Sequence, residues 1–304
     1  MKILVCGLAW SGSSAVIDML REYDQVGVLP GEFDEFRRSG MIADHLEGRI
    51  SYSYPSRLNE SKYLNDPNIK SSIKKLFIKF GYNGNSLFDY NTFQRKELYK
   101  KLIFKIQNDS NSTEYKLNAV RHWVGDLKEI YASNKQFFAI DQPIQHRQHF
   151  EIWPKVLEPF KMIVVYRDPR DQMAEIIRQG HLFYHMRSPV VAIYGGDRIG
   201  AINFLKDAIE AKLYWFKKIQ EKHGSSKVVM ISFEKFIKDH ENIRGKFKDW
   251  IGLSEDFERN SVLKINESIK NIGIYKNILN DEEVEILDGL MNWYNTKEEQ
   301  NKFY

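Results

Sequence analysis

An apolar run, Ile3-Leu4-Val5-Cys6, passes directly into Gly7-Leu8-Ala9-Trp10-Ser11-Gly12-Ser13-Ser14, and then into a segment carrying Val16, Met19 and Leu20 at helical spacing up to Tyr23. A buried strand, a glycine-serine turn and an amphipathic helix in that order commit the start of the chain to an α/β unit. The turn keeps the glycine spacing G-x-x-x-x-G of a phosphate-cradling loop, but Ser13 stands where nucleotide triphosphatases place lysine. Backbone N–H groups converging at a helix N-terminus hold an anion without that lysine, and the serines add hydroxyl donors. The missing cation argues against chemistry on the β- and γ-phosphates of ATP or GTP. A tight turn with a serine cap is the plain structural alternative.

Further apolar runs repeat the alternation. Val26 to Leu29 reads as a short strand closed by the turn pair Pro30-Gly31, Phe137 to Ile140 as a strand ending at Asp141, Met162 to Tyr166 as one ending at Arg167, and Val228 to Ile231 as a fifth. Helices are expected over Asp171 to Arg178 and Asn203 to His223. Short buried strands alternating with helices predict a parallel sheet with right-handed crossovers. Between residues 50 and 120 the chain turns rich in Asn, Ser, Tyr and Lys, with weak helical patches such as Ile73 to Phe80, and reads as a helical insertion or acceptor-side lid within a single domain spanning 1–304.

Arg167 is delivered by its strand to the edge where α/β sheets bind ligands, and a guanidinium there suits a phosphate. Asp171, four residues on, is placed to cap the following helix or pair with a basic neighbour. The net charge of +4 is mild and both signs are interspersed, so no nucleic-acid stripe stands out. The single cysteine, Cys6, excludes a disulfide framework. No stretch approaches the roughly 20 apolar residues of a membrane span, and the short N-terminal run does not make a secretory signal, so a cytoplasmic protein is expected.

Taken together, the loop at Gly7 to Ser14 and the strand, turn and helix at Ile163 to Asp171 resemble the sulfotransferases that use 3′-phosphoadenosine 5′-phosphosulfate (PAPS). Val229 to Phe236 is similar to the family's strand ending in an aromatic-Glu pair, Phe233-Glu234, and Ser268 to Lys276 to its glycine-containing nucleotide loop. The resemblance implies a three-layer P-loop-type α/β fold, a parallel sheet flanked by helices, with PAPS as donor, PAP as product and no metal. It further implies that Ser11, Gly12, Ser13 and Ser14 hold the 5′-phosphosulfate and Arg167 the 3′-phosphate. Three positions depart from the family pattern: Trp10 replaces the loop lysine or arginine, Glu175 stands where a serine is common, and the C-terminal loop lacks its basic-Gly pair, for which Lys270 is the nearby substitute.

Sulfuryl transfer needs a base for the acceptor hydroxyl. Pro30-Gly31-Glu32-Phe33-Asp34-Glu35-Phe36-Arg37-Arg38 follows the second strand, and Glu32, nearest the strand end, is the first choice, with Asp34 and Glu35 beside it. Arg121-His122 and His146-Arg147 are rival sources of a base or a cation. His181 and His185 have metal-ligand spacing without a third ligand, and Trp10 is placed to stack on an acceptor or to fill the core. The acceptor is expected to be a small molecule or glycan, with a sugar or glycolipid hydroxyl favoured by the basic, aromatic-rich stretch between Arg37 and Tyr115. Two other readings stay open. Phe137 to Asp141 resembles the metal-binding strand of a nucleoside or small-molecule kinase, against which Ser13 counts, and a nucleotide-binding protein without turnover is the third. The sequence leaves oligomeric state open.

Overall fold

The structure, a computed structural model, describes residues 1–7, 10–37, 41–47, 90–107, 112–144, 151–182, 191–254 and 262–300. Five strands, β1 (Lys2–Gly7), β2 (Val26–Glu32), β3 (Phe137–Asp141), β4 (Phe160–Tyr166) and β5 (Val228–Ser232), form one sheet in the order β2-β3-β1-β4-β5. All run parallel, and helices flank them, which is the expected α/β class. Strands buried on both faces must be apolar at successive positions rather than at alternate ones. Ile3, Leu4, Val5 and Cys6 in the central strand are accordingly all fully buried. Strand β4 runs beside β5 with Met162 opposite Val228 and Tyr166 opposite Ser232, so both strands end at the same level.

Strand β2 corrects the sequence reading. Pro30 and Gly31 do not turn the chain but continue the strand to Glu32. Because β2 is the sheet edge, Pro30 need not donate to a neighbour on its open side, and Gly31 takes φ 71° in open space where a side chain would be strained.

Contacts divide the chain into two compact units, residues 1–2 with 27–159 and residues 3–26 with 160–304. The first contains α2 (Asp34–Arg37), α3 (Ile42–Leu46), α4 (Tyr90–Ile106), α5 (Thr113–Ala132) and α6 (Trp153–Leu157), in addition to β3. Its core is aromatic: Phe33 stacks on Phe36 at 5.5 Å and on Trp123 at 5.4 Å between ring centroids. Ser112 caps α5 by accepting from the Tyr115 N–H. Residues 50–89 of the expected insertion, with the helical patch Ile73 to Phe80, lie outside the described residues; α4 and α5 occupy much of the rest, and α5 continues past 120.

The second unit contains α1 (Ser13–Arg21), α7 (Pro169–Arg178), α8 (Arg198–His223), α9 (Phe233–Lys238), α10 (His240–Ile251), α11 (Ile265–Ser268), α12 (Asp281–Asp288) and α13 (Met291–Gln300). Short 3₁₀ turns cover Ile269–Asn271 and Ile274–Asn277. Helix α8 begins earlier than its apolar periodicity suggests, because Asp197 caps it by accepting from the Gly200 N–H at 2.7 Å. Gly200 is required at that turn, since a Cβ there would sit 2.1 Å from the Tyr194 carbonyl oxygen. Met173, Ile176, Leu182, Ala201, Ile202, Leu205 and Leu287 bury one another beneath α7 and α8.

Candidate functional site

The expected anion loop and Arg167 both lie in the second unit, and the structure brings them together. Trp10 and Gly12 hold the left-handed conformations, φ 57° and 86°, that swing the chain from β1 into α1. Such a conformation is easy for glycine and strained for tryptophan. Gly12 is the N-cap of α1, and no acidic side chain occupies that helix's first turn to offset its positive end. A Cβ on Gly12 would come within 2.2 Å of the Phe233 ring, so the first residue of α9 fixes the glycine from outside the loop. Ser11 is 1% exposed, and its hydroxyl has no hydrogen-bond partner among the described residues. A buried, unpartnered donor of this kind costs stability unless something accepts from it. Ser13 is buried at the first turn of α1, while Ser14 is exposed.

Arg167 is 6% exposed and spans two loops. Its Nη1 donates to the Trp10 carbonyl at 3.1 Å, its Nη2 donates to the Asn271 carbonyl, and its guanidinium lies 5.1 Å over the Phe233 ring. Its Nε–H, also buried, has no partner among the described residues. Burial pushes the guanidinium below the usual arginine range, against the support of Asp171, Glu234 and Glu175. Phe233 therefore touches both the loop glycine and the arginine, a role that its place in an aromatic-Glu pair did not reveal.

Three carboxylates near Arg167 have distinct partners. Asp168, not Asp171, caps α7, accepting from the Arg170 N–H at 2.9 Å and pairing with its guanidinium at 2.7 Å. Asp171 instead accepts from the backbone N–H groups of Gly273 at 2.6 Å and Tyr275 at 3.1 Å, tying α7 to the nucleotide-type loop. Burial raises the Asp171 carboxyl above its usual range, and those two bonds oppose the rise. Glu234 accepts from the Asp168 N–H at 3.1 Å and from the Tyr294 hydroxyl at 2.7 Å. Burial carries it up to about 7 despite these donors and Arg167.

Glu175, which would repel an anion, is engaged by Arg178 and by Gln179 Nε2 at 2.7 Å. Burial would raise its carboxyl, but these hydrogen bonds outweigh it and hold the group below its usual range. Arg178 also donates to the Asn271 side chain at 2.9 Å, so the glutamate is drawn into the same loop contact as Arg167. Lys270 lies in that loop, exposed, and pairs with Glu267 at 2.8 Å. Trp10 packs against the cluster beneath α7 and α8, and its ring meets His181 at 4.5 Å.

The other candidates lie in the first unit. Arg37, largely buried, binds both Glu32 and Asp34, the latter at 2.7 Å. Glu35 takes a two-pronged contact from Arg95 at 2.7 and 2.6 Å, and Arg95 also donates to the Pro30 carbonyl at 2.8 Å. The side chain of Glu32, 49% exposed, is the most open of these carboxylates. Arg121 is spent on Lys155, Glu114 and Asn118, and a ring nitrogen of His122 meets the Asn118 carbonyl. His146, Arg147, His185 and Arg38 lie outside the described residues, among which no group of three metal-ligating side chains occurs. No described helix is long and apolar enough to cross a membrane.

No protein-family model and no curated protein sequence matches the chain. Among solved structures, the sulfotransferase domain from the curacin biosynthetic pathway superposes with a TM-score of 0.51 at 13% identity, over 95% of this chain and 96% of that one. Sulfotransferase STF9 from Mycobacterium avium gives 0.46 at 12% identity, over 97% of this chain and 76% of that one. The sulfotransferase domain of the Synechococcus PCC 7002 olefin synthase gives 0.44 at 11% identity, over 96% and 94%.

Proposed function

We propose that this chain, which carries the sulfotransferase fold, transfers a sulfuryl group from PAPS to an acceptor hydroxyl, with a carbohydrate or glycolipid as the acceptor class. The observation that carries the reading is the buried Ser11 hydroxyl, without a partner among the described residues, beside a helix N-terminus with no acidic side chain in its first turn and in one unit with a buried arginine whose Nε–H is equally unpartnered. That donor set suits an anion.

Ser11, Ser13, Ser14 and the N–H groups following Gly12 would hold the 5′-phosphosulfate, and Arg167 Nε–H the 3′-phosphate, with Lys270 in the adjoining loop. PAPS supplies an activated sulfuryl group on a phosphate leaving group. Glu32, the last residue of β2, is the proposed base: it takes the acceptor's proton as the new oxygen–sulfur bond forms and the bridging bond breaks. The loop's donors meet the charge that develops on the departing phosphate, a task usually shared with the cation that Trp10 displaces.

Thermal stabilisation by saturating PAP, with ATP and magnesium run alongside, tests the donor. A PAP-selective shift that Ser11→Ala weakens supports the reading. A shift by ATP and magnesium without one by PAP overturns it in favour of a kinase. A PAP shift with no transfer to any hydroxyl acceptor leaves a nucleotide-binding protein.

A further inference from the structure

A cavity of about 480 Å³ opens in the second unit between the start of α7, helix α9, the 272–276 segment and α13. None of Trp10 to Ser14 lines it, nor does Arg167. Its volume falls in the range of small-ligand sites.

Cationic side chains outnumber carboxylates around it by four to three, Arg170, Lys235, Lys238 and Lys276 against Asp168, Asp171 and Glu234. Asp168 and Arg170 neutralise each other, Asp171 is occupied by two backbone N–H groups, and Glu234 receives the Tyr294 hydroxyl and the Asp168 N–H. Lys235 and Lys238 from α9 and Lys276 from the 272–276 segment also line it, and among the described residues the ammonium groups of Lys238 and Lys276 have no hydrogen-bond or ion-pair partner. Tyr275, Tyr294, Ile272 and Met291 supply its aromatic and apolar lining. Arg170 lies 4.4 Å over the Tyr275 ring and holds that wall in place.

We propose that this cavity is a binding site for a small aromatic anion, whose ring packs against Tyr275, Tyr294 and Met291 while Lys238 and Lys276 take its charge. Ammonium groups and aromatic rings in one lining suit a ligand with a flat body and an anionic end. The cavity shares the 272–276 segment with the nucleotide-type loop, but none of the residues proposed to hold PAPS lines it, so the proposal does not rest on the transfer reaction.

Phenyl phosphate is the probe, titrated into the full chain by calorimetry or ligand-observed NMR, with inorganic phosphate and phenol as arms that separate charge from ring. Saturable binding of phenyl phosphate, tighter than either arm, is expected in the wild type and in Ser11→Ala. Each charged contact is worth on the order of tenfold, so Lys238→Ala with Lys276→Ala should weaken it about 100-fold. Both lysines are exposed, and the pair of substitutions leaves the core intact. Equal binding by the double variant, loss of binding in Ser11→Ala, or no saturation up to about 10 mM would each overturn the proposal.

Discussion

The segment around Arg167 and the turn from Glu32 to Arg37 both concentrate charge just beyond a strand's carboxyl end, but they hold it in opposite ways. Around Arg167 most of the partners that cross between elements are backbone groups: two carbonyls for the arginine, two N–H groups for Asp171 and one, with the Tyr294 hydroxyl, for Glu234. In the turn the partners are other side chains, Arg37 for Glu32 and Asp34, and Arg95 for Glu35. Backbone partners cannot swing away, so a change at the first site strains the fold. Side-chain pairs re-form or dissolve into water at small cost. The comparison teaches that stability should be sensitive at the first site and chemistry at the second.

The largest effect is expected from Gly12→Ala, which places a methyl group against Phe233 at a left-handed position. A loss of about 3 kcal/mol in denaturant unfolding is expected, with part of it restored by Phe233→Leu. A loss below about 1 kcal/mol would mean that the loop is not anchored from α9.

Glu234 gives a test in pH. Its carboxyl titrates at about 7 in the folded chain against 4.5 ordinarily, so unfolding releases a proton between these values. A raised carboxyl makes stability fall as pH rises through that window, by roughly 1.4 kcal/mol for each pH unit and about 3 kcal/mol in all. The stability of Glu234→Gln relative to wild type should therefore climb from pH 4.5 to 7 and level off above it. A flat difference across the window would show the group to be ionised throughout.

Asp171→Ala strands the N–H groups of Gly273 and Tyr275 and should cost about 2 kcal/mol, with faster hydrogen exchange at those two amides. An unchanged exchange rate would break the claim that Asp171 holds the loop. At the turn, Glu32→Gln should change stability by less than about 1 kcal/mol. If Glu32 is the base, the same substitution lowers the transfer rate on the order of 10² to 10⁴-fold. A variant with full activity would move the base elsewhere.

How far these arrangements could be read in advance follows from sequence separation. Buried strands such as Ile3 to Cys6 and Phe137 to Ile140 announce themselves because every residue must be apolar, and the loop glycine because its turn is local. The end of β2 was hidden, since Pro30-Gly31 means a turn everywhere except at a sheet edge, and edge position is not a local property. The competing signals of Asp168 and Asp171 could be ranked only once Gly273 and Tyr275 were seen beside the second, 102 and 104 residues away. Arg95 was lost in a stretch without clear periodicity, and its partner Glu35 lies 60 residues before it. Tyr294 and Glu234 are equally far apart. For Glu175 the charge was legible, but the way Arg178 folds back on it through the Asn271 contact was not.

The clasp made by Arg167 also has a consequence in time. Of the two loops it joins, the one at Trp10 is synthesised 157 residues before Arg167, and the one at Asn271 follows 104 residues after it. A nascent chain ending at residue 264 would carry all five strands and neither end of the 271–275 anchor. Closing loops of this length is slow relative to forming helices, so the earliest-made part of the anion site is the last to acquire its finished shape.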